Sequence, residues 1–401
     1  MNMTGAQAVL ECLKREGVDV VFGYPGGAVL SLYDEVYKAQ FPHILTGHEQ
    51  GAVHAADGYA RVTGRPGVCF ATSGPGVCNM VTGIATANMD SIPLVIISGQ
   101  VATPLIGRDS FQEADISGIT TPITKHNYLV KDAKELPRVL KEAFYIASTG
   151  RPGPVLVDIA KDVFDTSFDF EYPEEVHLRG YKGNPEGCED DVARAVQALA
   201  KAKRPVLLTG GGVVLSGMAD TLRSIVQQLG VPVVTTLMGK GSIPDQWDCH
   251  LGMVGMHGSY AANMAVTQCD LLLAVGARFD DRVTGDAANF APQAKIVHFD
   301  IDKVEINKIV HADISVNADL RWSLPHLCEG LKFDGQALYE RYEDWRHSVL
   351  DMKAVHPFAT RHLEGTISPQ SLFEALQAVT DDDTVVVTDV GQHQMWSAQF
   401  F

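Results

Sequence analysis

Short, almost wholly apolar segments recur along this chain, and several lead through glycines into a segment with helical periodicity. Examples are residues 67–71, 94–98 and 271–275. A strand that is apolar on both faces has to be buried on both, as happens in a parallel sheet covered by helices. The sequence therefore predicts an α/β fold made of successive doubly wound parallel sheets.

The remaining segments define a domain plan for the 401 residues. Further strands are predicted at 18–22, 43–46, 155–159, 205–208, 231–235, 295–300 and 384–388, and helices at 136–148, 218–229, 337–352 and 368–379. Stretches 166–190 and 336–365 have little periodicity and are interpreted as linkers. This division predicts domains at 1–165 and 191–335, and a third domain that begins at 366 and is incomplete at residue 401.

Composition limits the partners and the compartment. A formal net charge of −17 argues against nucleic acid or an anionic membrane surface as a partner. The seven cysteines are odd in number and form no CxxC pair, which favours free thiols in a reducing cytoplasm. No apolar run reaches membrane-spanning length, and the N-terminal segment lacks a signal-peptide core. We therefore expect a soluble cytoplasmic protein.

Glu49 is the first candidate catalytic residue. It shares a helical face with Val53, Ala56 and Ala60, which are small and apolar. A carboxylate on such a face loses solvation, which disfavours its charged form and makes it able to hold or pass a proton near neutral pH. The alternative is that Glu49 only begins the helix, where the helix dipole favours an acid.

Glycine-containing turns follow several predicted strands, at 24–27, 72–76, 210–212 and 391–393. Backbone NH groups at a helix start are unpaired, and glycine allows a ligand to approach them closely. Each turn alone is better explained as the tight connection that any α/β fold needs at this place. Together, at the carboxyl ends of parallel strands, they predict a ligand crevice.

Charged and aromatic residues near strand ends give further candidates. Two arginines and two aspartates in segment 276–285, with Asp300 at the end of strand 295–300, suit recognition of phosphate and ribose; a solvated loop of ion pairs is the alternative. Arg151 and Lys161 flank strand 155–159 and face either a pocket or solvent. Phe111 and Gln112 lie in a long irregular stretch, which forms either a binding surface or a packed loop.

Eight ordered segments carry a family resemblance. They are GYPGGAVL at 23–30, GHEQGAVHAADGYAR at 47–61, ATSGPGVCN at 71–79, SFQEADI at 110–116, KHNYLV at 125–130, GRPGPVLVDIAKDV at 150–163, GARFDDRVTG at 276–285 and DVGQHQMW at 389–396. The chain thereby resembles the large catalytic subunits of the acetohydroxyacid synthase (acetolactate synthase) family, which use thiamine diphosphate and FAD. The segment around Glu49 is typical of thiamine-diphosphate enzymes broadly, whereas SFQEADI and RFDDRVTG narrow the resemblance to this family.

The resemblance implies an architecture, an activity and partners. Residues 1–165 would bind the pyrimidine of the coenzyme, 191–335 would bind FAD, and 366–401 would begin the pyrophosphate-binding domain. The enzyme would decarboxylate pyruvate and join the two-carbon unit to a second 2-keto acid. Pyruvate as acceptor gives 2-acetolactate and 2-ketobutyrate gives 2-aceto-2-hydroxybutyrate, in the first common step of valine, leucine and isoleucine biosynthesis. The family also implies a homodimer or larger homo-oligomer and a small regulatory subunit.

The motifs also assign residues. Glu49 would hold a proton on the aminopyrimidine ring nitrogen, and Arg282 would recognise the carboxylate of the acceptor. The thiamine side would comprise Tyr24, Gly27, Glu49, Pro75, Asn79 and Gln112, with Gly391, Gln392 and His393 beginning the diphosphate site. The catalytic and channel set would be Glu49, Phe111, Gln112, Lys161 and Arg282. The FAD set would be Arg151, Gly211, Gly212, His257, Arg278, Asp280, Arg282 and Asp300.

One departure separates the chain from the family pattern. The Gly-Asp-Gly motif with its following Asn, which binds Mg²⁺ and the diphosphate, does not occur in the sequence. The Mg²⁺ ligands are therefore expected beyond residue 401, and the 401 residues alone are expected to be inactive. The alternatives are another thiamine-diphosphate carboligase or decarboxylase, and a non-catalytic protein that binds FAD or another subunit.

Overall fold

The structure is a computed structural model that describes residues 1–332, 335–359, 364–381 and 383–401. It contains two compact units, Met1–Gly183 and Asn184–Phe401. Each unit is built around its own parallel sheet.

The first unit, described throughout, has a six-stranded sheet in the order β3-β2-β4-β5-β7-β6, with every pair parallel. A short antiparallel pair, β1 and β8, lies outside that sheet. The strands are β1 Asn2–Thr4, β2 Val21–Gly23, β3 His43–Leu45, β4 Gly67–Ala71, β5 Leu94–Gln100, β6 His126–Val130, β7 Pro154–Ala160 and β8 Ser167–Asp169. The helices are α1 Gly5–Arg15, α2 Leu30–Lys38, α3 Glu49–Thr63, α4 Pro75–Cys78, α5 Val81–Asp90, α6 Ile116–Thr120, α7 Leu136–Ser148 and α8 Lys161–Asp165.

Both faces of this sheet are buried under helices. On β4, Val68 and Phe70 join the core that includes α1 and α7. Their neighbours Cys69 and Ala71 point the other way, into the core that includes α3 and α5. The alternation follows from the two-residue period of a strand. It explains why β4 is apolar at all five positions and confirms the prediction of a doubly wound sheet.

The described part of the second unit also has a six-stranded parallel sheet, but its strands follow a different order, β11-β10-β9-β12-β13-β14. The strands are β9 Pro205–Thr209, β10 Val233–Thr235, β11 His250–Met253, β12 Leu271–Val275, β13 Lys295–Asp300 and β14 Ile314–Asn317. The helices are α9 Glu189–Lys201, α10 Gly211–Leu215, α11 Ala219–Leu229, α12 Tyr260–Gln268, α13 Asp281–Thr284, α14 Leu320–Leu331, α15 Gly335–Arg341, α16 Glu343–Val355, α17 Pro369–Val379 and α18 Gln392–Phe400. Leu271 and Leu273 of β12 face one core, and Leu272 faces the other.

Helices α15 and α16 pack into the second unit. The Tyr342 hydroxyl donates to the carbonyl of Leu199 at 2.7 Å, and the Trp345 indole donates to the carbonyl of Pro205 at 3.0 Å. Both aromatic side chains are buried. The helix predicted at 337–352 is thus present, but it is divided at Tyr342.

The strand predicted at 384–388 is wrong. The structure assigns no strand to these residues, and Val385 and Val387 are exposed. A β-strand requires a hydrogen-bonded neighbour, and no strand in the described part of the chain pairs with this segment. Apolar composition alone therefore produces no strand here.

Parts of the domain prediction fall on residues 333–334, 360–363 and 382, outside the described residues. These include the junction near 335 and part of the stretch 336–365. The proposed three-domain division stays a prediction. Among the described residues, no helix is long and apolar enough to cross a membrane.

Candidate cofactor sites

Glu49 is the first residue of α3 and is buried, with 8% of its surface exposed. His48 caps the helix, because its Nδ1 accepts a hydrogen bond of 3.0 Å from the backbone NH of Gln50. Glu49 therefore begins the helix and is also largely shielded from water, while its catalytic role stays a prediction. Its carboxylate Oε2 accepts a hydrogen bond of 3.0 Å from the side-chain amide of Asn79.

The other carboxylate oxygen of Glu49, Oε1, faces the turn after β4. A Cβ added to Gly76 would lie 3.3 Å from Oε1 and 2.7 Å from Cγ2 of Thr72. Glycine is thus needed for this close approach. No hydrogen bond from the described residues reaches Oε1, so this oxygen can accept a hydrogen bond from an N–H donor of a ligand.

The side chain of Thr72 connects the 24–27 turn to the 72–76 turn, which lies beside Glu49. Its hydroxyl accepts a hydrogen bond of 3.1 Å from the backbone NH of Ala28. A Cβ on Gly26 would lie 2.5 Å from the Thr72 side chain, so the 24–27 turn packs directly on it. Tyr24 and Gly27 are exposed on this turn. The sequence singled out the turn containing Thr72 but not its side chain.

Gln112, although distant in sequence, lies against the 72–76 turn as well. A Cβ added to Gly74 would lie 2.4 Å from the backbone oxygen of Gln112. Gly74 also has φ of +59°, a conformation that side chains rarely adopt. Phe111, beside Gln112, leaves 88% of its surface exposed.

The structure thus brings together most of the first-unit residues assigned to the thiamine side. Segments 24–28, 49, 72–79 and 112 meet around the carboxyl ends of β2 and β4, where parallel α/β sheets bind ligands.

Lys161 and Arg151 occupy less informative positions in the first unit. Lys161 is the first residue of α8, immediately after β7, and is exposed. Arg151 precedes β7, and its Nε donates a hydrogen bond of 2.8 Å to the hydroxyl of Ser91. Their contact with a substrate or with FAD stays a prediction.

A buried polar cluster in this unit was missed by the sequence analysis. Asp158 on β7 accepts hydrogen bonds from the Ser98 hydroxyl at 2.7 Å and from the Gln100 amide at 2.9 Å, both on β5. Burial raises the pKa of Asp158 to about 6, and these two hydrogen bonds oppose the rise. The signal was the presence of polar residues inside otherwise apolar strands.

In the second unit, the glycines after β9 lie against the end of β12. The backbone NH of Gly212 donates to the carbonyl of Gly276 at 2.9 Å. A Cβ on Gly212 would lie 2.8 Å from the Cα of Gly276. The two strand ends therefore meet through glycine backbone, beside Gly211 at the start of α10.

The charged FAD candidates gather at the same edge of this sheet, because β9, β12 and β13 are neighbours and parallel. Arg278 and Asp280 follow β12, and Asp300 ends β13. Asp280 caps α13, accepting from the backbone NH groups of Arg282 at 3.0 Å and Val283 at 3.1 Å. Oδ1 of its carboxylate is therefore already used within the loop.

Other members of the set lie beside this loop. Arg282 is exposed, and its backbone carbonyl accepts a hydrogen bond of 3.0 Å from the NH of Met256, next to His257. Asp300 is buried, and its Oδ1 accepts from the backbone NH of Asp302 at 2.8 Å. Its Oδ2 lies 3.7 Å from Nε2 of the fully buried His298. His298 was not among the predicted site residues.

Residues assigned to the diphosphate lie at the start of α18, where Gly391 is the N-cap without a side-chain hydrogen bond. Gln392 and His393 are exposed in its first turn. Within the described residues, no group of three or more His, Cys, Asp or Glu side chains is placed to hold a metal ion.

Two family models match the chain. Residues 3–119 match the N-terminal TPP binding domain of thiamine pyrophosphate enzymes, where TPP is thiamine diphosphate. Residues 192–327 match the central domain of the same enzymes. The first match covers Glu49 and the turns around it, which supports thiamine diphosphate as a cofactor.

Curated relatives match the whole chain. The acetolactate synthase large subunit of Mycobacterium tuberculosis is 50% identical over 401 residues, which are 100% of this chain and 65% of that protein. A probable acetolactate synthase large subunit of Methanocaldococcus jannaschii is 47% identical over 409 residues, covering 100% of this chain and 68% of the relative. The chain belongs to the acetolactate synthase large-subunit family.

Membership in the acetolactate synthase large-subunit family agrees with the two domain matches, one in each compact unit. The acetolactate synthase large subunit of Corynebacterium glutamicum is 48% identical over all of this chain and 64% of the relative. This chain thus spans about 65% of the length of the first curated relatives it matches. The family confirms the resemblance drawn from the motifs, while the residue assignments stay predictions.

Proposed function

We propose that this chain contributes the aminopyrimidine side of the active site to the reaction of an acetolactate synthase large subunit. Two molecules of pyruvate would give 2-acetolactate and CO₂, and pyruvate with 2-ketobutyrate would give 2-aceto-2-hydroxybutyrate and CO₂. The observation that carries the proposal is the Glu49 carboxylate, which is largely buried beside Gly76 and keeps one oxygen without a hydrogen-bond partner among the described residues.

That carboxylate suits the aminopyrimidine of thiamine diphosphate. Thiamine diphosphate, when bound, supplies the electron sink for decarboxylation and for carbon–carbon bond formation. Glu49 Oε1 would hold a proton at the pyrimidine ring nitrogen, while Asn79 fixes the carboxylate through Oε2. Because the Glu49 side chain is largely shielded from solvent, the hydrogen bond to the ring would be stronger than in water.

The neighbouring segments would shape the rest of the site. Glycines at 74 and 76 leave room for a ring to approach Glu49, because a Cβ at Gly76 would point at the carboxylate. Gln112 would contact the coenzyme, and Phe111 and Lys161 would face the incoming keto acids. Arg282, with its planar guanidinium, would bind the carboxylate of the acceptor.

We also propose FAD as a ligand of the second unit. The donors and acceptors are the glycine turn 210–212, Arg278, and Asp300 at the end of β13. The close contact between Gly212 and Gly276 supports this, since it leaves backbone rather than side chains at the edge of the sheet. Visible flavin absorbance of the purified protein tests it, and protein purified with added FAD yet colourless would contradict it.

The activity test compares two proteins. One is the chain itself, and the other is an extended protein, in which the chain is followed by a C-terminal segment that carries the Gly-Asp-Gly motif expected for the family. Both receive thiamine diphosphate, Mg²⁺, FAD and pyruvate, and acetolactate is measured. We expect product from the extended protein, and the family motifs predict little or none from the 401 residues alone.

A matched pair of variants then examines the site. Glu49→Gln in the extended protein is expected to lower kcat at least about 100-fold, since proton transfer contributes about 10²–10⁴. Glu174→Gln, at an exposed position, is expected to leave kcat unchanged. Full activity of Glu49→Gln would contradict the mechanism, and no product from a folded extended protein would contradict the function.

The large-subunit name of the relatives supports a small regulatory subunit as a partner, and the family supports a homodimer or larger homo-oligomer. Sedimentation of the extended protein, with and without the small subunit of a relative, tests both. A cytoplasmic location stays a prediction from composition.

A further inference from the structure

The loop that carries Phe111 and Gln112 is folded around one carboxylate. Glu113 accepts hydrogen bonds from the backbone NH groups of Gly107, of Arg108 at 3.3 Å and of Ser110 at 2.9 Å. Both carboxylate oxygens take part. The Ser110 hydroxyl closes the same loop by donating to the carbonyl of Leu105 at 2.9 Å.

The backbone of this loop is strained. Asp109 has φ of +55° and Gln112 has φ of +58°, and Gly107 has φ of +78°. Residues other than glycine rarely adopt such values, so two of them within four positions need compensation from the surroundings. Hydrogen bonds to an ionised carboxylate are about twice as strong as neutral ones, which makes Glu113 a suitable source of that compensation.

The consequence of the strained conformation is the position of Gln112. Its backbone oxygen lies against Gly74, where no Cβ would fit. Gly74 opens the turn that ends at Asn79, and Asn79 donates to Glu49. The loop around Glu113 therefore contacts segment 74–79, the same segment that donates a hydrogen bond to the Glu49 carboxylate.

A second anchor holds the far side of this loop. The Gln100 side-chain amide donates to the carbonyl of Ala114 at 3.0 Å and to Asp158 at 2.9 Å. Asp158 and Gln100 are both buried in the sheet. Residue 114 is thus fixed to the core, and Glu113 is the side chain that fixes residues 107–112 relative to it.

We propose that Glu113 is a positioning residue, whose carboxylate holds the 107–112 loop so that Gln112 lies against Gly74 and Phe111 projects towards the substrate. This role rests on the proposed function for its catalytic consequence. We call the hydrogen bonds from the 107–110 backbone to Glu113 the clamp. The clamp lies within the first unit, and its effect on the loop can be measured without enzyme turnover.

The direct test is hydrogen exchange of backbone amides in the chain itself. Glu113→Ala is expected to accelerate exchange of the amides of Gly107, Arg108 and Ser110 at least about tenfold, and Glu113→Gln by less, since one amide oxygen can still accept. Asp109→Asn, a change at an exposed carboxylate of the same loop, is the matched control and is expected to exchange like the wild type. Equal exchange in Glu113→Ala and wild type would overturn the clamp.

The functional test uses the extended protein of the activity assay. We expect kcat/KM for pyruvate to fall about tenfold or more in Glu113→Ala, to an intermediate value in Glu113→Gln, and not at all in Asp109→Asn. Flavin content and the urea midpoint are expected to stay within the range of the wild type, which separates positioning from general unfolding.

The outcomes are distinguishable. Faster loop exchange with unchanged kcat/KM would overturn the positioning role. A wild-type extended protein that forms no acetolactate would contradict the proposed function and with it the catalytic role of Glu113, while the exchange measurement would still decide whether Glu113 holds the loop.

Discussion

The side-chain amide of Asn79 donates a hydrogen bond of 3.0 Å to the buried carboxylate of Glu49, although the two residues are 30 positions apart. This contact joins the start of α3 to the turn after β4. It uses one carboxylate oxygen and leaves the other facing Gly76. The orientation of the Glu49 carboxylate, and with it the proposed coenzyme contact, therefore depends on Asn79 as well as on Glu49.

Asn79→Ala should destabilise the first unit. The variant leaves the largely buried Glu49 carboxylate without its amide donor, and an unsatisfied buried group costs about 1–3 kcal/mol. Urea unfolding measures the change. Thr82→Ala, at an exposed position on the neighbouring helix α5, is the control and should stay within about 0.5 kcal/mol of the wild type.

Two helix-interior glycines should respond in opposite directions to alanine. A Cβ on Gly58 in α3 would meet nothing within 4 Å, so Gly58→Ala should stabilise by about 0.5–1 kcal/mol through helix propensity. A Cβ on Gly83 in α5 would lie 2.2 Å from Cγ1 of Val53, so Gly83→Ala should destabilise by about 1–3 kcal/mol. Thermal unfolding of both variants measures the signs. Stabilisation by both would show that α3 and α5 are not closely packed.

Asp158 should make stability depend on pH. Its pKa is raised from 3.8 to about 6 in the folded protein, so the folded state binds the proton more tightly than the unfolded state does. Its contribution is therefore favourable below about pH 4 and is lost as the pH rises through about 6, by an amount on the order of 3 kcal/mol.

The comparison with Asp158→Asn isolates that contribution. Free energies of unfolding measured from about pH 4 to pH 7 should fall more steeply in the wild type than in the variant, because asparagine does not titrate in this range. Parallel curves for the two proteins would show that Asp158 titrates normally.

Gly212→Ala should weaken the proposed flavin site. The added Cβ would lie 2.8 Å from the Cα of Gly276, so the ends of β9 and β12 have to separate. We expect a loss of about 1–3 kcal/mol in stability and a clear drop in bound flavin. Gly47→Ala, where a Cβ meets nothing within 4 Å, should keep wild-type flavin content. A Gly212→Ala protein with full flavin content would argue against a flavin contact at this turn.

The sequence predicted the central strands of both sheets, but of the four edge strands it predicted only β3. Predicted and observed bounds coincide for β4, β12 and β13, and also for helix α7. The strands β6, β11 and β14 were missed, and each lies at the edge of its sheet. An edge strand is paired on one side only and is often partly exposed, so its sequence lacks the continuous apolar run that marks a central strand.

The candidate site was predictable as a set of motifs but not as an arrangement. Glycine turns and Glu49 stand out because their residue types are unusual in their settings. The hydroxyl of Thr72 and the carboxylate of Glu113 do not stand out, since threonine and glutamate are common in any loop. Their roles follow from backbone NH groups that only the folded chain brings to them.

The sequence by itself determined the α/β class, the central strands, and the family to which the chain belongs, because apolar periodicity and ordered motifs are local properties of the chain. Only the tertiary structure decided which oxygen of Glu49 is occupied by Asn79 and which faces Gly76. It also decided that Gln112 is held against Gly74. These contacts join residues 27 or more positions apart, and their geometry is fixed by packing across the sheet rather than by any local preference of the chain.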